Sequence, residues 1–170
     1  MKEKIIRNYL EIKSLEKLSE VKAITHNFNI ELVLPEDFQL NKFFYKNVGK
    51  NYHWVDRLTW SNGIWLNYVS NKSLFTYVLK DKQNMAGFFE LIYHEEKKEI
   101  EIAYLGLLQE YIGKKLGGYL LSEAIKKSFT FDINRVWVHT CSLDHENALK
   151  NYISRGMQLY DTKVLDGKFI

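Results

Sequence analysis

The sequence carries one cysteine and one proline among its 170 residues. Cys141 alone leaves no partner for an intramolecular disulfide, which excludes the stapled scaffolds of small secreted domains. With Pro35 as the one proline, and no Gly/Ser-rich stretch or internal repeat, nothing marks a linker, so one domain over residues 1–170 is expected. No run approaches the roughly 20 apolar residues of a membrane span, and "MKEKIIRNYLEIK" has no apolar signal-peptide core. A cytoplasmic protein without membrane contact follows as the expectation. An excess of one charge is missing too: 24 Lys and Arg stand against 21 Asp and Glu, and "HEEKKE" mixes both signs. Without a polybasic arm, nucleic acid is not an expected partner, although a local basic patch can still meet a phosphate-bearing ligand.

What is present is apolar and aromatic. Hydrophobic residues make up 46% of the chain and aromatic ones 15%, enough for a core that buries roughly 70% of the unfolded surface. "YLEIK" from Tyr9 predicts a first strand, and "SLEKLSEVKAI", with Ser14 as N-cap, predicts a helix. "NIELVLP" suits another strand; "DFQLNKFFYKNV" and "SNGIWLNYVSN" suit helices around the loop "GKNYHWVDRLTW". Residues 73–108 read as three antiparallel strands broken at "KDKQN" and "HEEKK". A helical stripe follows from Leu116 to Phe129, then a strand "RVWVHTCSL". "DHENALKNYISRG" predicts a helix between Asp144 as N-cap and Gly156 at its C-terminal end, and "MQLYDTKVL" predicts a last strand. The class is α+β, a mixed and mostly antiparallel sheet flanked by helices.

The stretch "YIGKKLGGYL", from Tyr111 to Leu120, sets three glycines and two lysines where a strand runs into a helix. A helix N-terminus presents unpaired N–H groups with a partial positive charge behind them, and is a ready anion site. Ile112, Gly113, Lys114, Lys115, Leu116, Gly117 and Gly118 are therefore candidates for holding a pyrophosphate. A Walker A loop does not fit, since Gly106 lies seven positions before Gly113. Nor does the dinucleotide fingerprint, because Lys115 stands where a second glycine belongs.

"GLLQEYIGKKLGGYLLSEAI" resembles the acetyl-CoA-binding motif of the GNAT superfamily of N-acetyltransferases, and "DHENALKNYISRGMQLY" resembles the motif that follows it. The superfamily pattern Arg/Gln-x-x-Gly-x-Gly/Ala falls on Ile112, Lys115 and Gly117, of which Gly117 agrees. Where the later motif has an asparagine this chain has Glu146, with Asn147 and Asn151 nearby. The resemblance implies acetyl-CoA as co-substrate, no metal, and direct transfer of acetyl to a primary amine. It also implies that the main chain of Leu105, Gly106 and Leu107 binds the pantetheine arm, with a bulge at Gly106, and that Tyr152 protonates the leaving thiolate. The middle segment is similar to that of a bacterial branch of the superfamily.

For the base, Glu90 and Glu101 lie on adjacent expected strands, with Glu99 as a rival. "YHWVDRLTWSNGIW" holds three of the four tryptophans and reads in two ways: as a helix or loop that caps the sheet, or as an acceptor pocket of Trp54, Asp56, Arg57 and Trp60 in which a carboxylate meets an ammonium and a guanidinium meets a carboxylate. On the pocket reading the acceptor is a small, zwitterionic or cationic amine, with protein or peptide acceptors and a homodimer left open. Other chemistries fit less well. His139 and Cys141 share a strand face but stand roughly 6.5–7 Å apart, too far for a nucleophile and its base, so a core Cys and a partly buried His are expected. "HEEKK" has Lys98 where a second zinc-binding His would stand. The competing class is a catalytically silent acetyl-CoA-binding regulatory module, which needs the loop but not Tyr152.

Overall fold

Seven strands pair side by side in the order β2-β3-β4-β5-β6-β1-β7, and the computed structural model describes this sheet within residues 4–166. The strands are β1 (Ile5–Ile12), β2 (Phe28–Leu32), β3 (Leu74–Asp81), β4 (Asn84–His94), β5 (Glu99–Leu107), β6 (Arg135–Cys141) and β7 (Gln158–Leu165). Four helices accompany them: α1 (Phe38–Gly49), α2 (Asn62–Val69), α3 (Leu116–Ser128) and α4 (Ala148–Ser154). All neighbouring strands are antiparallel except β5 and β6. Mixed pairing with helices on both faces is the α+β arrangement expected from the sequence.

Apolar alternation decides which face each helix covers. Leu10, Ile12, Leu91, Ile100, Ile102, Val136 and Val138 project to one face, where Leu116, Leu120, Leu121, Ala124 and Ile125 of α3 close the main core. On the other face Phe44 and Val48 of α1 pack on Val78 and Phe88. The Phe44 and Phe88 rings are stacked with centroids 4.8 Å apart. Asp37 caps α1 by accepting from the N–H groups of Gln39 and Leu40, and Ser61 caps α2 by accepting from that of Ile64.

Three local expectations are corrected. The segment after Ser14 forms a single 3-10 turn, Leu15–Lys17, instead of a helix. Beyond it the N–H of Ser19 donates to the carbonyl of Arg155 and that of Val21 to Ser122 Oγ. Those long-range partners take up donors that a helix would have needed, and Leu15 and Ile24 are left exposed. Asp144 does not cap α4: its carboxylate accepts from Thr140 Oγ1 and from the N–H of Cys141, and the helix starts after Asn147. The bulge in β5 is not at Gly106. Pairing passes from Ile102 opposite Leu91 to Tyr104 opposite Glu90, so Ala103 is the extra residue. Gly106 serves close approach instead, because a Cβ there would collide with Val48 of α1.

Candidate active site

Only three residue pairs join β5 to β6, from Glu99 opposite Arg135 to Glu101 opposite Trp137. Beyond them the strands part. The far edge of β5 stays paired, with Phe89 opposite Leu105 and Gly87 opposite Leu107, so its near edge opens onto a cleft of about 950 Å³. The cleft is lined from both faces of the sheet: by Val48, Tyr52 and Trp54 on the α1 side, and by α3 and α4 on the other.

Leu105, Gly106 and Leu107 form one wall. Ile112, Gly113, Lys115, Leu116, Gly117 and Gly118 form the end at the α3 N-terminus, facing Asn147, Asn151 and Tyr152 of the α4 region. Gly113 has φ +80° with nothing within 4 Å of where a Cβ would lie. Lys115, at the N-cap, also has positive φ, at 60°, so a lysine occupies the left-handed conformation that glycine adopts without cost. Among the described residues no side chain caps this end, and the first N–H groups of α3 have no partner within the helix. Asn151 Nδ2 donates to the carbonyl of Gly117 at 3.1 Å, tying α4 to the first turn of α3. Lys114 turns away from the cleft, its ammonium 5.0 Å from the centre of the Tyr111 ring.

Tyr152 is almost wholly buried but lines the cleft. Burial, with Asp144 adding to it, raises its pKa well above the ordinary phenol value, so the hydroxyl keeps its proton.

Of the expected acceptor residues, Trp54 and Asp56 line the cleft and Arg57 and Trp60 do not. Arg57 is 7% exposed and Glu90 0%, and they form an ion pair at 3.1 Å. Glu90 also accepts from Asn41 Nδ2 at 2.8 Å and from the Tyr68 hydroxyl at 2.7 Å. The guanidinium lies within 6 Å of five aromatic ring centres, nearest Tyr68 at 4.1 Å and Tyr104 at 4.3 Å. Burial opposes the Arg57 charge, and the fields of Glu90 and Tyr68 more than offset it, raising its pKa. Glu101 bonds to His94 Nε2 at 3.0 Å, and Glu99 accepts from Arg135 and Trp137; neither lines the cleft.

The sequence reading missed several cleft residues: Arg7, His53, Lys150 and Arg155, and the accessible position of His139. His139 sits within the concavity, where surrounding protein displaces water. That desolvation, and then the Arg7 charge, lower its pKa. The His139 side chain is nonetheless exposed to the cleft, where a partly buried one was expected, and Cys141, expected in the core, is half-buried and lines the same cleft. The available signal was register. Arg7 lies opposite Cys141 and Tyr9 opposite His139, which places these side chains on one face, but the β1–β6 pairing is not readable from letters.

Residues 37–157 match the model of the Acetyltransferase (GNAT) family, and the chain belongs to that family. Solved structures share the fold at low identity. A GCN5-related N-acetyltransferase from Sphaerobacter thermophilus superposes with a TM-score of 0.73 at 14% identity, over 96% of this chain and 51% of that one. A conserved protein of unknown function from Staphylococcus epidermidis ATCC 12228 gives 0.63 at 16%, over 94% and 60%. Spermidine N-acetyltransferase from Vibrio cholerae, in complex with CoA and spermine, gives 0.63 at 18%, over 78% and 81%. The chain thus spans little more than half the length of the first two. No curated protein matches the sequence.

Proposed function

We propose that this protein is an acetyl-CoA-dependent N-acetyltransferase that moves acetyl directly to the primary amine of a small acceptor within a ternary complex. The observation that carries the reading is the parting of β5 from β6 after Glu101 and Trp137, directly in front of the uncapped N-terminus of α3. The residues present fit the cofactor. The free edge of Leu105 to Leu107 offers main-chain groups to an extended amide-bearing arm, as an added strand would use them. The N–H groups of the first turn of α3, with Lys115, Lys150 and Arg155 nearby, fit a pyrophosphate. Arg155 Nε is buried without a hydrogen-bond partner among the described residues.

Bound acetyl-CoA would supply the activated acetyl group as a thioester; the chain's own residues manage the protons. A nitrogen must lose a proton as it forms the C–N bond, and the departing sulfur must gain one as the C–S bond breaks. His139 keeps a free lone pair at neutral pH, because its pKa is lowered, and is the accepting group we assign. Tyr152, protonated and facing the cleft, is the donor. Glu90, with its oxygens held by Arg57, Asn41 and Tyr68, anchors the acceptor-side loop instead of serving as the base. Among the described residues no group of three or more His, Cys, Asp or Glu is arranged to hold a metal. Thiol release from acetyl-CoA in the presence of a panel of primary amines tests the reading; acetyl-CoA turnover with none of them counts against it.

A further inference from the structure

Four arginines occur in the sequence, and their partners divide them. Arg57 is paired with Glu90, and Arg135 with Glu11 and Glu99. Arg7 and Arg155 have no carboxylate within ion-pair distance among the described residues, and the Nε of each is buried without a hydrogen-bond partner. Both line the same cleft. Arg155 stands at the α3 end, where a Cβ on Gly118 would strike its guanidinium, and its charge belongs with the cofactor phosphates. Arg7 stands elsewhere, opposite Cys141 on β6 and on the face that carries His139.

A guanidinium with an orphaned donor in a partly dry concavity costs free energy unless an anion arrives. Nearby carboxylates do not serve it: Asp144 is engaged by Thr140 and the Cys141 N–H, and Asp56 makes no ion pair among the described residues. Its cross-strand neighbour on β7 is Lys163, a like charge whose ammonium rests over the Tyr9 ring. We infer that Arg7 receives a carboxylate on the acceptor, so that the substrate is an amino-acid-like amine whose ammonium faces Asp56. This rests on the acetyltransferase reading. It selects zwitterions over polycations.

Two sources of anion are conceivable in one cleft, an acceptor carboxylate and a cofactor phosphate, and the test separates them. Amines that differ only by a carboxylate serve as probes: tryptophan against tryptamine, phenylalanine against phenethylamine, lysine against cadaverine. The wild type is expected to favour the acids by about tenfold or more in kcat/KM. Arg7→Met removes the preference and Arg7→Lys keeps part of it, with acetyl-CoA affinity unchanged. A wild-type preference for the decarboxylated amines overturns the inference, as does an Arg7→Met variant that loses acetyl-CoA affinity but keeps the preference.

A second arm needs no turnover. His139 faces Arg7 and Tyr9 from β1, Glu101 from β5, Asp144 beyond β6 and Asp56 from the loop after α1. A carboxylate settled on Arg7 cancels its field and raises the midpoint of the His139 imidazole resonance. Phenylalanine should therefore shift that midpoint upward, phenethylamine should not, and Arg7→Met should respond to neither. Equal responses to both probes, or no response to phenylalanine, overturn the inference. If phenylalanine shifts His139 while acetyl-CoA fails to bind, the carboxylate site stands and the acetyltransferase reading falls.

Discussion

Arg57 Nη1 sits 3.1 Å from Glu90 Oε2, and no other ion pair among the described residues has both side chains less than a tenth exposed. The pair fastens the loop after α1 to strand β4, and the N–H of Arg57 donates to the Tyr45 hydroxyl from the same point. Trp54 and Asp56, which line the cleft, ride on that loop. Removing one partner strands the other charge in the core. Arg57→Met or Glu90→Ala should each cost roughly 3–5 kcal/mol, while the double replacement by apolar residues costs less than the sum. Urea denaturation of the three variants checks this.

Gly106 and Val48 give a second stability test. Gly106→Ala places a methyl group where Val48 already stands and should cost about 1–3 kcal/mol. Val48→Ala clears that space, so the double variant should recover part of the loss. If the effects of the two substitutions simply add, the close contact between β5 and α1 is not what Gly106 serves.

Lys115 holds φ at 60° without a side-chain cap bond. Lys115→Gly should raise stability by roughly 0.5–1 kcal/mol at this position, against the usual cost of glycine. Thermal unfolding of the variant measures the sign directly.

Tyr152→Phe keeps the ring and removes the hydroxyl to which we assign proton donation. Turnover should fall about a hundredfold while acetyl-CoA affinity holds, since general acid help is worth on the order of 10²–10⁴ in rate. Lost affinity with unchanged turnover would reassign Tyr152 to binding.

His139 makes stability depend on pH in a stated direction. Its folded pKa lies below its ordinary value of 6.5, so between the two the unfolded chain binds more protons than the folded one. Stability should therefore rise with pH through that window and level off above it. Denaturation of His139→Gln should lack this slope, and its acetylation rate should lose the corresponding acidic limb.

Much of the architecture was legible because local signals agreed with the fold. The strand–loop–helix from Leu105 to Ser128 carries alternation, then glycines, then a helical stripe, and the structure follows each change. The segment after Ser14 misled because Leu15, Leu18, Val21 and Ile24 have helical spacing, while the N–H groups of Ser19 and Val21 are claimed by Arg155 and Ser122, more than 100 residues away. The same cause hid the β1 side of the cleft. Arg7 and His139 are neighbours only through the β1–β6 register, and Arg57 and Glu90 only through the docking of a loop onto the sheet. Composition allowed each of these charges to be exposed, paired or functional; tertiary contact decides between them.

Calorimetric titration of acetyl-CoA, beside CoA and ATP, asks whether the cleft in front of α3 holds the cofactor. Saturable binding of acetyl-CoA and CoA is expected, with a stoichiometry of one per chain, weakened by a bulky residue at Gly117 and absent with ATP. Binding of none of the three, or of ATP as tightly as CoA, would mean that the cleft is not an acetyl-CoA site.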